Sequence, residues 1–251
     1  MVKLKKDIKL IVGITVAALT GVGMSAGYVN YIEKRALPEE FTVTAHTGCE
    51  GTDDNSLEAI KKGYESGADI VEFDLRFTKS GEPVLSHDKG GKNCVTLKEA
   101  FALVAEYENL KVNIDCKTVD NIAVVPEMAE EYGIRDRIFY TGIETDKVAK
   151  VQKDSPGVEY YLNTKVSKWR KNNDKYIRSL VKLIKDNGAV GINIHFSEAS
   201  KRMVDIFRQE GLKVSVWTVN KEKDMHKVLE LKCDNITSRY PTMLIGIINS
   251  K

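Results

Sequence analysis

The stretch that decides the fold runs from residue 44 to residue 88. It reads TAHTGCEGTDDNS at its start, IVEFDLRFTKSGEPV in its middle and LSHD at its end. Within it, short apolar or β-branched runs lead into polar side chains three times, at His46, Glu72 and His87. A parallel barrel collects its functional groups in this way, because the ends of several strands meet at one rim. The stretch therefore predicts the beginning of such a barrel, with a site at its rim.

The rest of the chain continues the alternation of strand and helix patterns, which is typical of a parallel sheet with helical crossovers. A (β/α)8 TIM barrel has about 250 residues, so one barrel would use nearly all of the 251 residues. We expect Ser56 and Thr96 to cap the first helices, because their side chains can accept a hydrogen bond from a backbone amide. Nine strand patterns compete for the eight places of the barrel, so we expect either 159–162 or 189–194 to be a connection.

Glu72 and Asp74 carry the clearest chemical signal in the stretch. Side chains two apart on a strand point to the same side, so the two carboxylates can share one cation. Asp115 follows a later strand pattern and can supply a third oxygen. An all-carboxylate ligand set favours a hard cation, Mg²⁺ or Ca²⁺, over zinc. The alternative is a rim of ion pairs, in which Arg76 or Lys117 balances the same carboxylates.

Two histidines bracket these carboxylates, His46 before them and His87 after them. A pair of histidines beside a carboxylate-bound cation supplies what acid–base chemistry on a phosphate ester needs, since one can remove a proton while the other donates one. We therefore expect both to be catalytic. His195 and His226 have no such company in the sequence, and we expect them to be ordinary histidines, with His226 on a helix surface.

A series of short motifs, in order from residue 44 to the C-terminus, resembles the pattern of the glycerophosphodiester phosphodiesterase family. Any one of the motifs alone would be a weak signal, and their order carries the resemblance. The matching motifs are His46-Thr47-Gly48, Asp54-Asn55-Ser56, Glu72-Phe73-Asp74, His87-Asp88, Asp115-Cys116-Lys117, Trp217-Thr218-Val219-Asn220 and Thr237-Ser238-Arg239-Tyr240-Pro241.

The resemblance implies a TIM-barrel phosphoric diester hydrolase that uses a divalent cation to split glycerophosphodiesters into glycerol phosphate and an alcohol. It implies that His46 and His87 are the acid and the base. It further implies that the glycerol hydroxyl of the substrate attacks phosphorus, giving a cyclic phosphate that water then opens. For Trp217, burial in the core is the alternative to a substrate contact. The other site residues that it implies are the metal ligands Glu72, Asp74, Asp115 and Asp54, and the substrate or phosphate contacts Lys117, Trp217, Thr47 and Arg76.

Three positions depart from the family pattern. Thr47 stands where the family has an arginine that grips phosphate in a forked geometry, which a hydroxyl cannot reproduce. Asp54 and Asp115 stand where the family has glutamate, and each is one methylene shorter. We expect slower turnover or a changed headgroup preference as a result. The candidates to replace the missing arginine are Arg76, Lys117 and Lys89.

Two alternative functions stay open at this point. A lysophospholipase D or sphingomyelinase-D-like enzyme on the same barrel would act on lipid and would suit a membrane-tethered chain. A non-catalytic binding module that kept the barrel would account for the three departures. It would not account for the intact set His46, Glu72, Asp74, His87 and Lys117.

The N-terminus departs from the pattern of a soluble protein. Lys3, Lys5, Lys6 and Lys9 precede an uncharged run over residues 10–29, and about 20 such residues span the hydrocarbon core of a bilayer as a helix. Lysines before the run favour a cytoplasmic N-terminus, a single pass through the cell membrane and a catalytic part outside the cytoplasm. A cleaved signal peptide with a weak site at 24–26, and hence a secreted protein, is the alternative.

We therefore divide the chain into a transmembrane anchor or signal segment over residues 1–30, a tether over 31–40 and the barrel over 41–251. The net charge is only +2, which argues against a nucleic-acid partner. The four cysteines are too scattered in the sequence for a zinc site. A basic stretch at 165–175 could touch anionic lipid, but we expect a solvated helix face there.

Overall fold

Short runs rich in Val, Ile and aromatic residues form the strands of the fold, as expected for residues that pack well on a buried pleated surface. The computed structural model describes residues 36–89 and 93–250. Its strands in chain order are β1 (Thr42–Ala45), β2 (Ile70–Phe77), β3 (Pro83–Leu85), β4 (Lys111–Cys116), β5 (Ile138–Ile143), β6 (Tyr160–Asn163), β7 (Gly191–His195), β8 (Lys213–Trp217) and β9 (Asn235–Ser238).

Parallel pairing runs around the sheet in the order β1, β9, β8, β7, β6, β5, β4, β2 and closes where β1 pairs with β2. The described residues thus form a closed barrel of eight parallel strands, and the predicted TIM-like α/β fold is confirmed. The ninth strand, β3, lies outside this circle and pairs antiparallel with the end of β2, where Leu75 faces Leu85.

The expectation that 159–162 or 189–194 would be a connection is wrong, because β6 and β7 are both barrel strands. The surplus strand is β3, the returning arm of a hairpin with β2. A hairpin arm and a barrel strand show the same short extended pattern, so the sequence alone did not separate them.

Helices cover the outside of the barrel, and each buries an apolar stripe against it. Ser56 Oγ accepts a hydrogen bond from the amide of Ala59 (3.0 Å), and Thr96 forms a capping box with Glu99, so both predicted N-caps are present. The helices are α1 (Leu57–Glu65), α2 (Leu97–Ala105), α3 (Val124–Glu131), α4 (Thr145–Asp154), α5 (Asp174–Asp186), α6 (Lys201–Gln209), α7 (Glu222–Leu231) and α8 (Pro241–Asn249).

The interior of the barrel is polar toward the carboxyl ends of its strands. Outward-pointing strand positions are apolar and pack under the helices, as Phe73 does, whereas inward positions such as Asn113, Thr141 and Asn235 are polar and also buried. Thr141 Oγ1 donates to Asn113 Oδ1 (2.8 Å), and Asn235 Nδ2 donates to Thr44 Oγ1 (2.7 Å). Buried polar groups need such partners. Together they form a hydrogen-bonded floor beneath the carboxyl ends of the strands.

The predicted membrane anchor over residues 1–30 lies outside the described residues, and so do residues 31–35 of the tether. Residues from Pro38 onward form one compact unit that contains the whole barrel. Among the helices of the described residues, none is both long and apolar enough to cross a membrane.

The basic stretch at 165–175 is a loop for most of its length. Turns and irregular backbone occupy residues 164–173, and α5 begins only at Asp174. The expected helix face over this stretch is therefore wrong. Asn173 is the reason, because its side chain accepts a hydrogen bond from the amide of Tyr176 (2.9 Å) and caps the helix there.

Candidate active site

A cavity of about 560 Å³ opens at the carboxyl ends of the barrel strands. Every residue that the sequence predicted for the site lines this cavity, although the residues lie far apart in the chain. They are His46, Thr47, Asp54, Glu72, Asp74, Arg76, His87, Asp115, Lys117 and Trp217. Polar residues that the sequence analysis did not single out line it as well, including Arg239, Lys147, Asn163 and Asn193.

Three carboxylates form a tight cluster at one side of the cavity. Glu72 and Asp74 lie on β2 and Asp115 lies on β4, and strand pairing sets Asp74 opposite Asp115. One oxygen from each of the three carboxylates lies within 4.8 Å of the others. Converging carboxylate oxygens fit a hard divalent cation such as Mg²⁺ or Ca²⁺. The cluster could therefore bind a metal ion.

The electrostatics of this cluster follow from its burial. Burial raises the pKa of Glu72 to about 7; His46 opposes this rise, and the charges of Asp74 and Asp115 add to it. Lys117 supplies a compensating charge, with Nζ 2.8 Å from Asp74 Oδ1 and 2.5 Å from Asp115 Oδ2. Burial by itself lowers the pKa of Lys117, but the two carboxylates outweigh it and raise that pKa above its ordinary value. Lys117 is therefore a cation in the site.

Neighbouring groups fix the orientation of the carboxylates. Asn55 donates from Nδ2 to Asp74 Oδ2 and accepts at Oδ1 from the Asp74 amide, both at 2.8 Å. Gly142 on β5 has a φ of +71°, and a Cβ there would collide with Asp115. Glycine at this position thus leaves room for the third carboxylate.

His46 follows β1 with its imidazole beside the carboxylate cluster, where Nδ1 is 3.8 Å from Glu72 Oε2. The same Nδ1 is 2.7 Å from the carbonyl oxygen of Thr47. Because a carbonyl oxygen only accepts hydrogen bonds, Nδ1 carries the proton, and the neutral ring has its lone pair on Nε2. Only 24% of the side chain is exposed. His46 is thus set to accept a proton at Nε2.

His87 lines the cavity and follows a strand that runs opposite to the barrel strands. It follows β3, which runs antiparallel to the barrel strands, so it does not sit at the end of a parallel strand as the sequence suggested. Its Nδ1 is 3.0 Å from Asp88 Oδ1, and its backbone carbonyl accepts a hydrogen bond from Arg76 Nε (2.8 Å). The side chain is 66% exposed. A carboxylate on Nδ1 leaves Nε2 as the atom for proton exchange.

Thr47 uses both its backbone and its side chain inside the first loop. Its amide donates to Glu72 Oε2 (2.8 Å), and its Oγ1 accepts from the amide of Asn55 (2.5 Å). The residue is buried, with 2% exposed. The hydroxyl is therefore engaged with the loop that orients the carboxylates, and its assignment as a phosphate contact stays a prediction.

Asp54 pairs with Arg239, which follows β9. The two guanidinium nitrogens lie 2.6 and 3.0 Å from the two carboxylate oxygens, and these hydrogen bonds hold the pKa of Asp54 below its ordinary value. Gly48 beside them has a φ of +68°, and a Cβ there would collide with both side chains. Asp54 lies outside the carboxylate cluster, so its assignment as a metal ligand stays a prediction.

Trp217 at the end of β8 lines the cavity and is 38% exposed, which excludes the alternative of a fully buried core position. Its ring meets the ring of His195 edge-on, with 5.8 Å between the centroids. His195 in turn hydrogen-bonds through Nδ1 to Ser197 Oγ (2.7 Å). A partly exposed indole held in this way offers an apolar wall with a defined orientation.

Sequence reasoning missed two cations of the site, Arg239 and Lys147. Arg239 directly follows β9, the same kind of position that drew attention to His46, so a signal was present. Lys147 lies in the first turn of α4, where its Nζ donates to the carbonyl oxygens of Gly142 (2.6 Å) and Cys116 (3.1 Å). No local pattern marks such a residue, because only the fold brings that helical turn over the rim.

Comparison with known proteins connects this geometry to a family. The family model described as the glycerophosphoryl diester phosphodiesterase family matches residues 35–104 and 91–243 of the chain. A glycerophosphodiester phosphodiesterase of Caldanaerobacter subterraneus subsp. tengcongensis is 22% identical over 250 residues, which cover 82% of this chain and 97% of that protein. A glycerophosphodiester phosphodiesterase of Bacillus altitudinis is 23% identical over 248 residues, with 82% and 97% covered.

Solved structures share the fold. The glycerophosphodiester phosphodiesterase of Thermotoga maritima gives a TM-score of 0.66 at 21% identity, with 82% of this chain and 98% of that chain covered. An Oleispira antarctica phosphodiesterase in complex with the product sn-glycerol-3-phosphate gives 0.67 at 18% identity, with 85% and 97% covered. Nearly the whole length of each of these solved chains is matched.

Proposed function

The chain belongs to the glycerophosphoryl diester phosphodiesterase family, and on this premise we propose that it splits glycerophosphodiesters into glycerol phosphate and an alcohol. The family and the named relatives make it a phosphoric diester hydrolase. The observation that supports the proposal most is that His46 lies 3.8 Å from Glu72, one of the three carboxylates that converge in the cavity. This geometry supports the proposal because it sets a residue type that can transfer protons beside carboxylates that could bind a cation.

In the proposed reaction, Glu72, Asp74 and Asp115 would hold Mg²⁺ or Ca²⁺. When bound, such a cation would polarise a phosphoryl oxygen and stabilise the negative charge of the transition state. The three carboxylates are largely removed from water, so their mutual repulsion would favour binding of a cation. Lys117, which contacts two of the three carboxylates, neutralises part of the same charge.

The two histidines move the protons. His46 takes the proton of the substrate's glycerol hydroxyl at Nε2, because its Nδ1 is bound to a carbonyl oxygen. As the hydroxyl oxygen bonds to phosphorus, the bond from phosphorus to the alcohol oxygen breaks, and His87 protonates that oxygen. Water then opens the resulting cyclic phosphate with the two roles exchanged.

Arg239 takes over the phosphate contact that the family's arginine makes at the position of Thr47. Its guanidinium lines the cavity and is fixed in orientation by the pair of hydrogen bonds to Asp54. The pair with Asp54 uses Nη1 and Nη2, and Nε together with the second hydrogen of Nη2 still provides a forked, permanently charged donor for phosphate oxygens. Of the earlier candidates for the phosphate contact, Arg76 donates from Nε to the His87 carbonyl oxygen and so is engaged with the backbone beside β3. Lys117 remains a second candidate contact with phosphate, and Lys89 does not line the cavity.

A second candidate is a lysophospholipase D or sphingomyelinase-D-like activity, favoured by apolar side chains near the cavity. Trp217 is partly exposed within it, and Tyr240 and Met243 are exposed just after β9. Apolar surface at this end of the barrel suits the acyl chain of a lysophospholipid. The predicted anchor over residues 1–30, with the catalytic part outside the cytoplasm, would place the cavity near lipid.

The test is hydrolysis by residues 38–251 of soluble glycerophosphodiesters, which release glycerol phosphate, and of lysophospholipids, which release acylglycerol phosphate, with Mg²⁺, Ca²⁺ or a chelator. His46→Ala is compared with His226→Ala, which removes an exposed histidine from α7. We expect cation-dependent release that His46→Ala loses and His226→Ala retains. The phosphate product that forms faster, glycerol phosphate or acylglycerol phosphate, decides between the soluble diester and the lipid.

Two results would overturn the proposal. Release that is unaffected by the chelator would remove the cation from the mechanism. No release from any substrate with either cation, from a sample that unfolds cooperatively, would favour the binding module over the hydrolase.

A further inference from the structure

The loop between β6 and α5, residues 164–173, presents a tryptophan to solvent. Trp169 is 98% exposed, whereas Trp217, Tyr240 and Met243 are 38%, 44% and 43% exposed. Single exposed apolar residues are common on protein surfaces. A fully exposed indole is different, because it leaves one of the largest apolar side chains in water. We call residues 164–173 the Trp169 loop.

The Trp169 loop is also strongly basic. It contains Lys165, Lys168, Arg170 and Lys171 and no acidic residue. Lys165 and Lys168 are exposed and form no ion pair within the described part of the chain. The acidic residue that follows the loop, Asp174, is already paired with Arg202. The tryptophan is thus flanked in the loop by lysines whose charge no ion pair of the described residues balances.

The fold holds this loop in place. Val166 is buried, and the amide of Ser167 donates to the hydroxyl of Tyr176 (2.9 Å). At the other end, the carbonyl oxygen of Lys171 accepts from Ser200 Oγ (2.6 Å). Between these anchors the chain turns through residues 168–172. The exposure of Trp169 is therefore built into the loop, since both flanks are fixed to the barrel.

The loop lies on the same end of the barrel as the cavity. It follows the carboxyl end of β6, and Lys171 Nζ donates to the carbonyl oxygen of Ser197 (2.8 Å). Ser197 contacts His195, whose ring supports Trp217 at the cavity wall. A short chain of contacts thus connects the loop to the mouth of the site.

We propose that the Trp169 loop binds the surface of an anionic lipid bilayer and turns the mouth of the cavity toward it. Tryptophan favours the boundary between headgroups and acyl chains, where its ring is in an apolar layer and its N–H remains solvated. Clusters of Lys and Arg are attracted to anionic headgroups. An anionic bilayer offers both at once, diffuse negative charge above an apolar layer. This surface is distinct from the anchor expected over residues 1–30, and it does not depend on the proposed hydrolysis.

The experiment uses residues 38–251, so that the N-terminal segment does not contribute to binding. Co-sedimentation is measured with vesicles of phosphatidylcholine and with vesicles of equal parts phosphatidylcholine and phosphatidylglycerol, in chelator to prevent turnover. The variants are Trp169→Ala and the double variant Lys165→Gln with Lys168→Gln. The matched controls are Tyr64→Ala, and Lys61→Gln with Lys111→Gln, which remove an exposed aromatic and two lysines elsewhere on the barrel.

We expect binding to the anionic vesicles only, weakened by salt, since exposed charges are screened. The double lysine variant should lower the partition coefficient about thirtyfold, following the affinity that two lysines contribute at an anionic surface. Trp169→Ala should lower it as well, because it removes the side chain that favours the headgroup boundary. The controls should bind like the unchanged protein. The chain has two tryptophans, so Trp169 is the remaining tryptophan in Trp217→Phe. The tryptophan fluorescence of this variant should shift to the blue when anionic vesicles are added.

Equal binding by Trp169→Ala, equal binding to neutral vesicles, or no binding would overturn the proposal. Self-association in solution that requires Trp169 would also overturn it, in favour of a second copy of the chain as the partner. Hydrolysis of a soluble glycerophosphodiester is measured on the same protein preparations, with Mg²⁺ or Ca²⁺ in place of the chelator. Vesicle binding without hydrolysis would contradict the proposed function alone, and hydrolysis without vesicle binding would contradict this proposal alone.

Discussion

The cavity contains two sets of residues that are built differently, and we call them the strand side and the loop side. The strand side is Glu72, Asp74 and Asp115, which project from neighbouring barrel strands, are mostly buried and are held in register by strand pairing. The loop side is His87 and the Asp54–Arg239 pair, which come from loops and are a third or more exposed. The strand side suits groups whose spacing must not vary, since a closed sheet fixes its backbone. The loop side suits contacts that differ from substrate to substrate.

The largest effect is expected on the strand side. Glu72→Gln keeps the shape of the side chain but removes a charge from the carboxylate cluster, so we expect hydrolysis to be lost altogether. Thermal stabilisation by Mg²⁺ should disappear as well, because binding of the ion to the folded state is its cause. Activity and melting temperature with and without Mg²⁺ check both expectations.

The matched control for this variant is Glu144→Gln. Glu144 lines the cavity, is exposed and lies outside the carboxylate cluster. If it abolished Mg²⁺ stabilisation as completely as Glu72→Gln, the division between the two sides would be wrong.

The two histidines differ in exposure in the same way, because His46 is mostly buried and His87 is mostly exposed. His46→Ala and His87→Ala should each lower kcat by about 10²- to 10⁴-fold, the usual range for a general acid or base. Added imidazole should restore part of the activity of His87→Ala, whose site is open to solvent, and less of the activity of His46→Ala, whose site is mostly buried. Rescue of both variants to the same extent would contradict the difference in access.

A smaller effect is expected at Arg239. Arg239→Gln removes a charge-assisted contact with phosphate, a contact that contributes about 1.5–3 kcal/mol, so kcat/KM should fall about tenfold or more. The kcat/KM of Arg239→Lys should lie between those of Arg239→Gln and the unchanged protein, because lysine keeps the charge and loses the forked pair of donors. Asp54→Asn is the control that loosens the pair and keeps the arginine. Unchanged kcat/KM in Arg239→Gln would contradict a phosphate contact by Arg239 and would favour Lys117, which pairs with the carboxylates of the strand side.

The smallest effect on catalysis is expected at Thr47, behind the reacting groups. Thr47→Val removes the oxygen that accepts from the amide of Asn55, which is partly buried, and leaving that donor unsatisfied costs about 1 kcal/mol of unfolding free energy. Urea denaturation measures this loss, and we expect kcat to change only a few-fold. Thr47→Arg should destabilise more, because the position is buried. An equally stable Thr47→Arg with raised activity would show that an arginine fits there after all.

The sequence was sufficient for the barrel, the family and the hydrolase class, and these predictions are confirmed. They depend on local patterns: a strand followed by a polar residue, or two carboxylates two positions apart. The order of the motifs added the family. The carboxylate cluster follows from the same logic, because β2 and β4 are neighbours and their ends meet.

The rest depends on contacts between distant segments. Asp54 and Arg239 are 185 positions apart and meet only because β9 returns beside β1. The antiparallel course of β3 depends on which edge of β2 is free, and a short extended run does not carry that information. The Trp169 loop was expected as part of a helix, because its lysines resemble a solvated helical face and the Asn173 cap was not recognised.

The position of β3 has a consequence for solubility. β1 pairs with β2 only at Ile70 and Val71, whereas β2 extends to Phe77. The projecting half of β2 would be a bare sheet edge on that side, a template for pairing with another molecule, and β3 covers it at residues 75–77. The hairpin that carries His87 therefore also shields the barrel from edge-to-edge aggregation. A variant that loosens this hairpin should lose activity and become prone to aggregate at the same time.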